Sequence, residues 1–208
     1  MSEPVLREFP LFPLGLVALP SEYVPLHIFE QRYRVMVNDC LESEREFGIV
    51  WMSDEELKPV GCACRIERVL ERMPDGRLNI LTRGTRPFRL LSRDEHLPYP
   101  AGTVEFLGDR SEDSDEDAAD TAHASYADLV EQATDNPPEP DELAAMSAYE
   151  MAATVDFGLD AKQGLLELRS ENARLRLVTR LFRAAIKRLE MMERVQSRAR
   201  SNGKVHLT

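Results

Sequence analysis

The sequence predicts an α+β fold in which a small β-barrel with one early helix is followed by a bundle of helices. Three observations lead to this prediction. Short apolar runs bounded by proline and glycine fill the first half of the chain, and a Pro74–Gly76 turn joins two of them. A strongly acidic stretch then interrupts the pattern at residues 109–120. Beyond it, apolar residues recur at helical spacing almost to the end.

The first segment contains two proline-bounded apolar runs and one amphipathic helix. A proline biases the residue before it toward extended backbone, so residues 11–14 and 24–28 are predicted to be short, buried strands. The helix follows from apolar residues at i, i+4, i+7, i+8, i+11 and i+12, which share one helical face. These residues are Phe29, Tyr33, Met36, Val37, Cys40 and Leu41.

The next segment is predicted to complete the barrel. Phe47–Met52 is an apolar run too short for a helix, and Val60–Met73 reads as a long strand with a break in phase between Ile66 and Val69, where we expect a bulge. Asp75-Gly76 suits the positive φ of a tight hairpin. Further strands are expected at Arg77–Thr82, Phe88–Leu91 and Thr103–Leu107, with Gly84 as a break between the first two. A total of roughly six or seven short strands favours a closed or partly open barrel.

Composition divides the chain into four parts. Residues 1–108 are predicted to form the barrel, 109–120 an acidic linker or loop, 121–200 a helical subdomain and 201–208 a disordered tail. The acidic part lacks the apolar side chains needed to order itself. In the helical part we expect helices over Ala118–Thr134 and from Asp141 to about Val155, a short helix opened by Asp160, and a long last helix capped by Ser170.

Charge and cysteine usage limit the classes of partner and cofactor. A net charge of −11 argues against nucleic acid, because binding to phosphates needs a basic surface. Cys62 and Cys64 lack the second ligand pair of a zinc site, so these residues and Cys40 are expected to pack as small, reduced side chains. We find neither a signal peptide nor the run of ~20 apolar residues that a membrane span needs, so we expect a cytoplasmic protein.

Residues suited to bond-breaking chemistry are missing. The one Gly-Lys pair, Gly203-Lys204, is followed by valine rather than the serine or threonine of a P-loop, and no G-x-S-x-G elbow occurs. The four histidines are too scattered to suggest a metal cluster, and His27 is expected to form a structural hydrogen bond. We therefore predict no catalytic, cofactor-binding or metal-binding residues, and no enzymatic activity.

Several motifs occur together in the order found in a known family. They are Phe9–Leu14, Pro25–Tyr33, Phe47-Gly48, Val60-Gly61, Asp75–Arg77, and Gly84 with Phe88. Together they resemble the N-terminal substrate-binding domain of the ATP-dependent protease Lon, most specifically over residues 8–108 and more loosely to about residue 195. Pro87 and Cys62 depart from the family pattern, which usually has an arginine and a threonine at these places.

The resemblance implies a PUA-like barrel of about six strands followed by a helical subdomain. In the full protease this region engages unfolded or damaged proteins and adaptors and helps to assemble the hexamer. The sequence contains neither the ATPase nor the peptidase domain, so we expect a free-standing, non-enzymatic recognition protein. Its expected partners are unfolded or damaged polypeptide and a separate Lon-like protease or chaperone, and it is expected to be a monomer or homodimer.

The residues predicted to contact polypeptide combine apolar side chains with the exposed positions of the first helix. Recognition of non-native chains requires apolar surface that a folded monomer normally hides. The candidates are Phe12, Gln31, Arg32, Val35, Trp51 and Met52. Two alternatives remain open: RNA binding, which other PUA-like barrels perform, and binding of a small ligand in a cleft.

Overall fold

The structure is a computed structural model that describes residues 5–54 and 56–202. The strands are β1 (Val5–Leu14), β2 (Tyr23–Ile28), β3 (Phe47–Ser53), β4 (Glu56–Leu57), β5 (Val60–Arg72), β6 (Leu78–Asp94) and β7 (Ala101–Phe106). The helices are α1 (Gln31–Glu42), α2 (Glu116–Thr134), α3 (Pro140–Ala145), α4 (Ala148–Ala152), α5 (Leu159–Glu167) and α6 (Glu171–Asn202). Strands with one early helix therefore precede a helical region, and the α+β prediction is confirmed.

Five strands close into a barrel. Strand β1 pairs antiparallel with β7 and parallel with β3, while β7–β6, β6–β5 and β5–β3 are antiparallel pairs. Strand β4 adds to the end of β3, and β2 pairs with the first half of β6. Because β6 is longer than the barrel wall, its first half lies between β2 and the second half of β5. These three segments form a small sheet that continues from the barrel.

The barrel interior is filled by aromatic and aliphatic side chains that form a cluster separate from the main core. Its buried members are Phe9, Leu11, Val50, Ala63, Phe88, Val104 and Phe106. The Phe88 ring occupies the space beside Gly48 and Gly61, where an added Cβ would lie 2.4 Å and 2.7 Å from it. Glycine at these two positions is therefore what allows a phenylalanine in the centre of so small a barrel.

Helix α1 packs against the inner face of the small sheet, as its periodicity predicts. Tyr33, Met36, Val37 and Cys40 are buried in the main core, where the inward side chains of β2 and β6 also lie. The prediction for Phe29 is wrong. This residue precedes the helix, is 61% exposed and stacks on His27 at 5.9 Å between ring centroids.

Strand β6 is continuous, which corrects the expected break at Gly84. An added Cβ there would lie 2.0 Å from the Leu19 carbonyl oxygen, so glycine is needed for a close approach of two backbones and not for a turn. The bulge expected in β5 is confirmed, since the pairing with β6 shifts between Ile66 and Arg68. Cys62 and Cys64 are buried, free thiols on one face of β5, and burial raises the pKa of Cys62.

The helical region differs in detail from the predicted helices. The expected helix from Asp141 to Val155 is two short ones, because Met146 is extended and Ser147 starts α4 with a capping box to Glu150. Helix α5 begins after Gly158, whose φ is +82°, and Asp160 lies in its first turn without capping it. Ser170 does cap α6, because its Oγ accepts a hydrogen bond from the Ala173 amide at 3.0 Å.

The acidic stretch is tied to the start of α6. Asp109 pairs with the buried Arg174, Glu112 accepts a hydrogen bond from the Asn172 amide at 3.1 Å, and Asp115 pairs with Arg176 and caps α2. Helix α2 begins at Glu116, inside the predicted linker. Of the predicted tail, α6 includes residues 201–202, and residues 203–208 lie outside the described part. The division into four parts remains a prediction.

Helix α5 and the segment after it join the helical region to the barrel. Gln163 donates from Nε2 to the Val60 carbonyl at 3.2 Å, and Arg169 Nε donates to the Gly108 carbonyl at 2.8 Å. Lys162 forms a largely buried ion pair with Glu22. In the described ranges we find no helix that is both long enough and apolar enough to cross a membrane.

Candidate functional site

A groove with a cavity volume of about 380 Å³ runs over one end of the barrel. Pro13 of β1 is the accessible part of its floor, and the buried residues Leu11 of β1 and Ala101 of β7 lie beneath it. One wall is Leu57 of β4, and the other is formed by Glu95 and residues 97–100 of the β6–β7 connection, with Leu97 as its aliphatic residue. Because the floor is part of the barrel wall, its shape is set by the closed pairing of β1 with β7 and β3.

Backbone and side-chain bonds hold the wall in place. The Leu11 amide donates to the Pro100 carbonyl at 2.8 Å, which joins wall to floor. Tyr99 is 6% exposed, and burial together with a hydrogen bond to Asp39 of α1 raises its pKa to about 12. At the far end of the wall, His96 Nε2 lies 2.8 Å from Glu8 Oε1. The groove is therefore anchored to β1 and α1, which favours a binding surface that exists before any ligand arrives.

Charged side chains line the rim of the groove. Arg32 of α1 stacks over the Tyr33 ring at 4.7 Å and forms an ion pair with Glu30 at 2.8 Å. Arg93, Asp94 and Glu95 lie at the other side, so the rim carries both signs of charge. The Glu8 carboxylate, by accepting a hydrogen bond from His96, raises the pKa of His96 and favours its charged form. An apolar floor with a mixed polar rim is the usual anatomy of a surface that binds protein.

The titratable groups of the lining are the carboxylates of Asp94 and Glu95, the guanidinium groups of Arg32 and Arg93, and the Tyr99 hydroxyl. Among the described residues that line the groove there is no serine, cysteine, histidine or lysine that could act as a nucleophile or base. Tyr99 stays protonated because its pKa is raised. Nor does any group of three or more histidine, cysteine, aspartate or glutamate side chains in the described ranges form a candidate metal site.

The structure brings together only part of the predicted contact set. Arg32 lines the groove, and Met52, which is 43% exposed, pairs in register with the wall residue Leu57. Trp51 is partly buried against the core, with Lys58 Nζ 5.6 Å above its ring. Whether these residues contact polypeptide remains a prediction.

Three predicted residues lie elsewhere. Phe12 is only 5% exposed and packs on Tyr33 at 4.2 Å between ring centroids, so it belongs to the core and cannot form surface. Val35 was expected to be exposed but is half-buried against the same core. Gln31 is exposed and accepts a hydrogen bond from Arg34, away from the groove.

Sequence reasoning missed most of the groove wall. Residues 97–100 lie between two strands that were predicted at other boundaries, and their role depends on contact with β1, about ninety residues earlier. One signal was available: Leu97, Pro98, Tyr99 and Pro100 are apolar although they form a loop, and loops with this composition are unusual on a solvated surface.

Comparison with known proteins gives consistent results. A family model described as the ATP-dependent protease La (LON) substrate-binding domain matches residues 8–184. The Lon protease of Anaeromyxobacter dehalogenans is 25% identical over 214 residues, which cover 90% of this chain and 24% of that protein. Lon protease 2 of Myxococcus xanthus is 24% identical, with 94% of this chain and 26% of that protein covered. The chain thus spans about a quarter of the length of these relatives.

Solved structures show the same fold. A Lon N-terminal domain protein from Xanthomonas campestris has a TM-score of 0.63 at 25% identity, with 82% of this chain and 95% of that chain covered. The N-terminal domain of a Mycobacterium avium complex Lon protease also has a TM-score of 0.63, at 18% identity, covering 85% and 98%. Because the family model covers most of the chain and the architecture agrees, this chain belongs to the Lon substrate-binding domain family.

Proposed function

We propose that this chain is a non-enzymatic recognition module that binds apolar segments of unfolded or damaged polypeptide in the groove. The observation that carries the proposal is the groove itself, a concavity of about 380 Å³ whose partly exposed apolar lining includes Pro13, Leu57 and Leu97. Such surface on a folded chain is typical of an interaction site. The family match supports the same reading, since its description is that of a substrate-binding domain.

The exposed side chains beside the groove extend the apolar surface. Met52 adds a flexible thioether next to Leu57, and methionine adapts to partners of varied shape. The rim charges Arg93 and Glu95 allow segments of either sign to approach. A surface of this kind suits sequence-tolerant binding of non-native chains better than recognition of one folded partner.

The absence of catalysis is part of the proposal. The groove lining, as far as the chain is described, contains no serine, cysteine, histidine or lysine, and the relatives that carry the name protease are about four times longer than this chain. We further propose that the protein acts in the cytoplasm, delivers bound chains to a separate Lon-like protease or a chaperone, and is a monomer or homodimer.

The proposal is tested by the binding of fluorescently labelled unfolded casein, followed by anisotropy. We expect a dissociation constant on the order of tens of micromolar and no release of peptides. Leu57→Glu places a charge in the wall and should weaken binding by about tenfold. Leu159→Glu, at a 36% exposed residue of α5, is the matched control and should bind as the wild type does. Equal affinity of the wild type and Leu57→Glu would show that the groove is not the binding site.

A second candidate function is the binding of a small ligand. It is favoured by the groove volume of about 380 Å³, which lies within the range of roughly 300–1,000 Å³ found for ligand pockets. Thermal stability distinguishes the two functions. A small apolar compound that raises the melting temperature of the wild type but not of Leu57→Glu, while unfolded casein leaves both unchanged, would favour the ligand.

A further inference from the structure

The small sheet formed by β2, the first half of β6 and the second half of β5 has one buried face and one exposed face. Leu26 and Ile80 point into the core under α1. The alternate residues therefore point outward, and the pairing places them in three rows across the strands. The rows are Tyr23–Arg83–Arg65, Pro25–Leu81–Arg68 and His27–Asn79–Glu71. We call these nine residues the outer sheet face.

Aromatic and aliphatic side chains are unusually exposed on and beside this face. Tyr23 is 56% exposed, Phe29 is 61% exposed and Leu70 is 48% exposed. Phe29 stacks on His27, and a shallow cavity of about 460 Å³ lies between His27 and Leu70. Apolar side chains placed together on a solvated sheet indicate an interaction surface.

The outer sheet face carries three arginines and one glutamate, so it is positively charged in a protein whose net charge is −11. Glu67 is paired with Arg65 at 2.7 Å, and Glu71 accepts a hydrogen bond from Asn79 at 2.8 Å. Arg68 has no carboxylate partner within the described part of the chain. Arg83 lies over the Tyr23 ring at 5.5 Å, and its charge helps to lower the pKa of Glu150 in α4, although among the described residues it forms no ion pair. Arginine side chains beside exposed aromatic rings favour a ligand that contains both carboxylates and apolar groups.

The spacing of the face suits an extended ligand. Tyr23, Pro25 and His27 follow one another at every second residue of a strand, a distance of about 6.8 Å that an extended peptide repeats. Among the described strands, β2 pairs only with β6, so its other edge has no strand partner there. Pro25 lacks an N–H and removes one donor from the backbone of β2, so side chains of the face are expected to carry more of the binding than added strand pairing.

We propose that the outer sheet face is a second binding surface, for an extended acidic segment of polypeptide. It shares no residue with the groove. It selects negatively charged segments, whereas the groove, with charges of both signs on its rim, does not select by charge. Carboxylates of the segment pair with Arg68 and Arg83, and its apolar side chains pack on Tyr23 and Phe29. This proposal does not depend on the function of the groove.

The test uses two short labelled peptides, one alternating glutamate with leucine and one alternating lysine with leucine. Anisotropy should show binding of the glutamate peptide that weakens as salt is raised, and at least about tenfold weaker binding of the lysine peptide. Arg68→Glu and Tyr23→Ala should each weaken binding of the glutamate peptide by about fivefold or more. Arg89→Glu on β6, outside the outer sheet face, and Leu159→Ala on α5 are matched controls that should leave it unchanged.

The groove variant Leu57→Glu separates the two surfaces and should bind the glutamate peptide as the wild type does. Loss in Leu57→Glu but not in Arg68→Glu would assign the acidic segment to the groove and overturn the proposal. Equal binding of the two peptides, or wild-type affinity in Arg68→Glu and Tyr23→Ala, would also overturn it. So would tighter binding of a polyuridylate oligonucleotide than of the glutamate peptide, which would identify nucleic acid as the occupant. Circular dichroism of each variant confirms that it is folded.

Discussion

The barrel and the helical region differ in how they use their charged groups. In the barrel, backbone pairing closes the ring and aromatic rings fill the interior, while Met52, Tyr23 and Phe29 remain exposed on the surface. In the helical region, a charged cluster at the start of α6 is used internally, although Met191, Met192 and Val195 later in α6 are exposed. Arg174 is 3% exposed, donates to the Leu168 carbonyl at 2.8 Å and is paired with Asp109 and Glu171.

This difference indicates a division of labour. The barrel is closed by backbone pairing and filled by buried rings, so exposed side chains such as Met52 can contact other molecules. Burial alone would lower the pKa of Arg174, but hydrogen bonds to Asp109 and Glu171 outweigh burial and hold that pKa above its usual range. Charges that are satisfied in this way offer little to a partner. We infer that the barrel carries recognition and that the helical region supports it.

The largest effect is expected from a methyl group added inside the barrel. In Gly61→Ala the new Cβ would lie 2.6 Å from the Ile49 carbonyl oxygen and 2.7 Å from the Phe88 ring. We expect a loss of about 3 kcal/mol in the free energy of unfolding, measured by urea denaturation. Gly164→Ala is the matched change in the helical region, where no atom lies within 4 Å. It should stabilise the protein by about 0.5–1 kcal/mol. A loss of similar size in both variants would contradict the contrast.

A smaller effect is expected when the buried guanidinium is removed. Arg174→Met leaves the Leu168 carbonyl without its donor and removes the cation that pairs with both Asp109 and Glu171. Both carboxylates reach solvent. We expect a loss of about 2–3 kcal/mol in the free energy of unfolding, with the binding of unfolded casein retained by the folded protein. Arg176→Met, at an ion pair whose arginine side chain is 57% exposed, is the control. It should cost under about 1 kcal/mol. Loss of casein binding by folded Arg174→Met would show that the helical region takes part in recognition.

The smallest effect is a pH dependence at the start of α4. Hydrogen bonds from the Ser147 amide and hydroxyl, both 2.8 Å long, lower the pKa of Glu150 from its usual 4.5. Because the folded pKa is the lower one, the stabilisation is complete above the unfolded value and is lost as the pH falls through the folded value.

Glu150→Gln should therefore be less stable than the wild type by about 0.5–1 kcal/mol near neutral pH. This difference should shrink as the pH is lowered below about 4 in urea denaturation. Glu139→Gln is the control, because the Glu139 side chain makes no capping bond at the start of α3. A gap between wild type and Glu150→Gln that stays constant with pH would contradict the assigned hydrogen bonds.

Local patterns predicted most of the barrel strands and α1. The spacing of Tyr33, Met36, Val37 and Cys40 was sufficient because α1 has one buried face. The same reasoning failed for Phe12, since β1 is buried on both faces: Leu11 lies in the barrel interior and Phe12 in the main core. Alternation then cannot indicate which residue reaches the surface.

The remaining differences arise from contacts between distant parts of the chain. Gly84 is predicted to be a break between strands, but its role is to let the Leu19 backbone come close. Leu19 lies far from Gly84 in the sequence, so no local pattern indicates this contact. The acidic stretch has the composition of a linker, and only its contacts with Arg174 and Asn172 show that it is attached to α6. The groove wall depends in the same way on β1. The fold class and most of the strands could therefore be predicted from the sequence, whereas the groove could not.

The central claim is that the barrel groove, and not the helical region, contacts unfolded polypeptide. The most direct measurement places a photo-crosslinking phenylalanine analogue at Leu97 in the groove wall or at Leu159 on α5, and irradiates each protein with unfolded casein. The account predicts a crosslinked product from the Leu97 position, reduced by Leu57→Glu, and little from the Leu159 position. Crosslinking from Leu159 alone, or equal crosslinking from both positions, would contradict it.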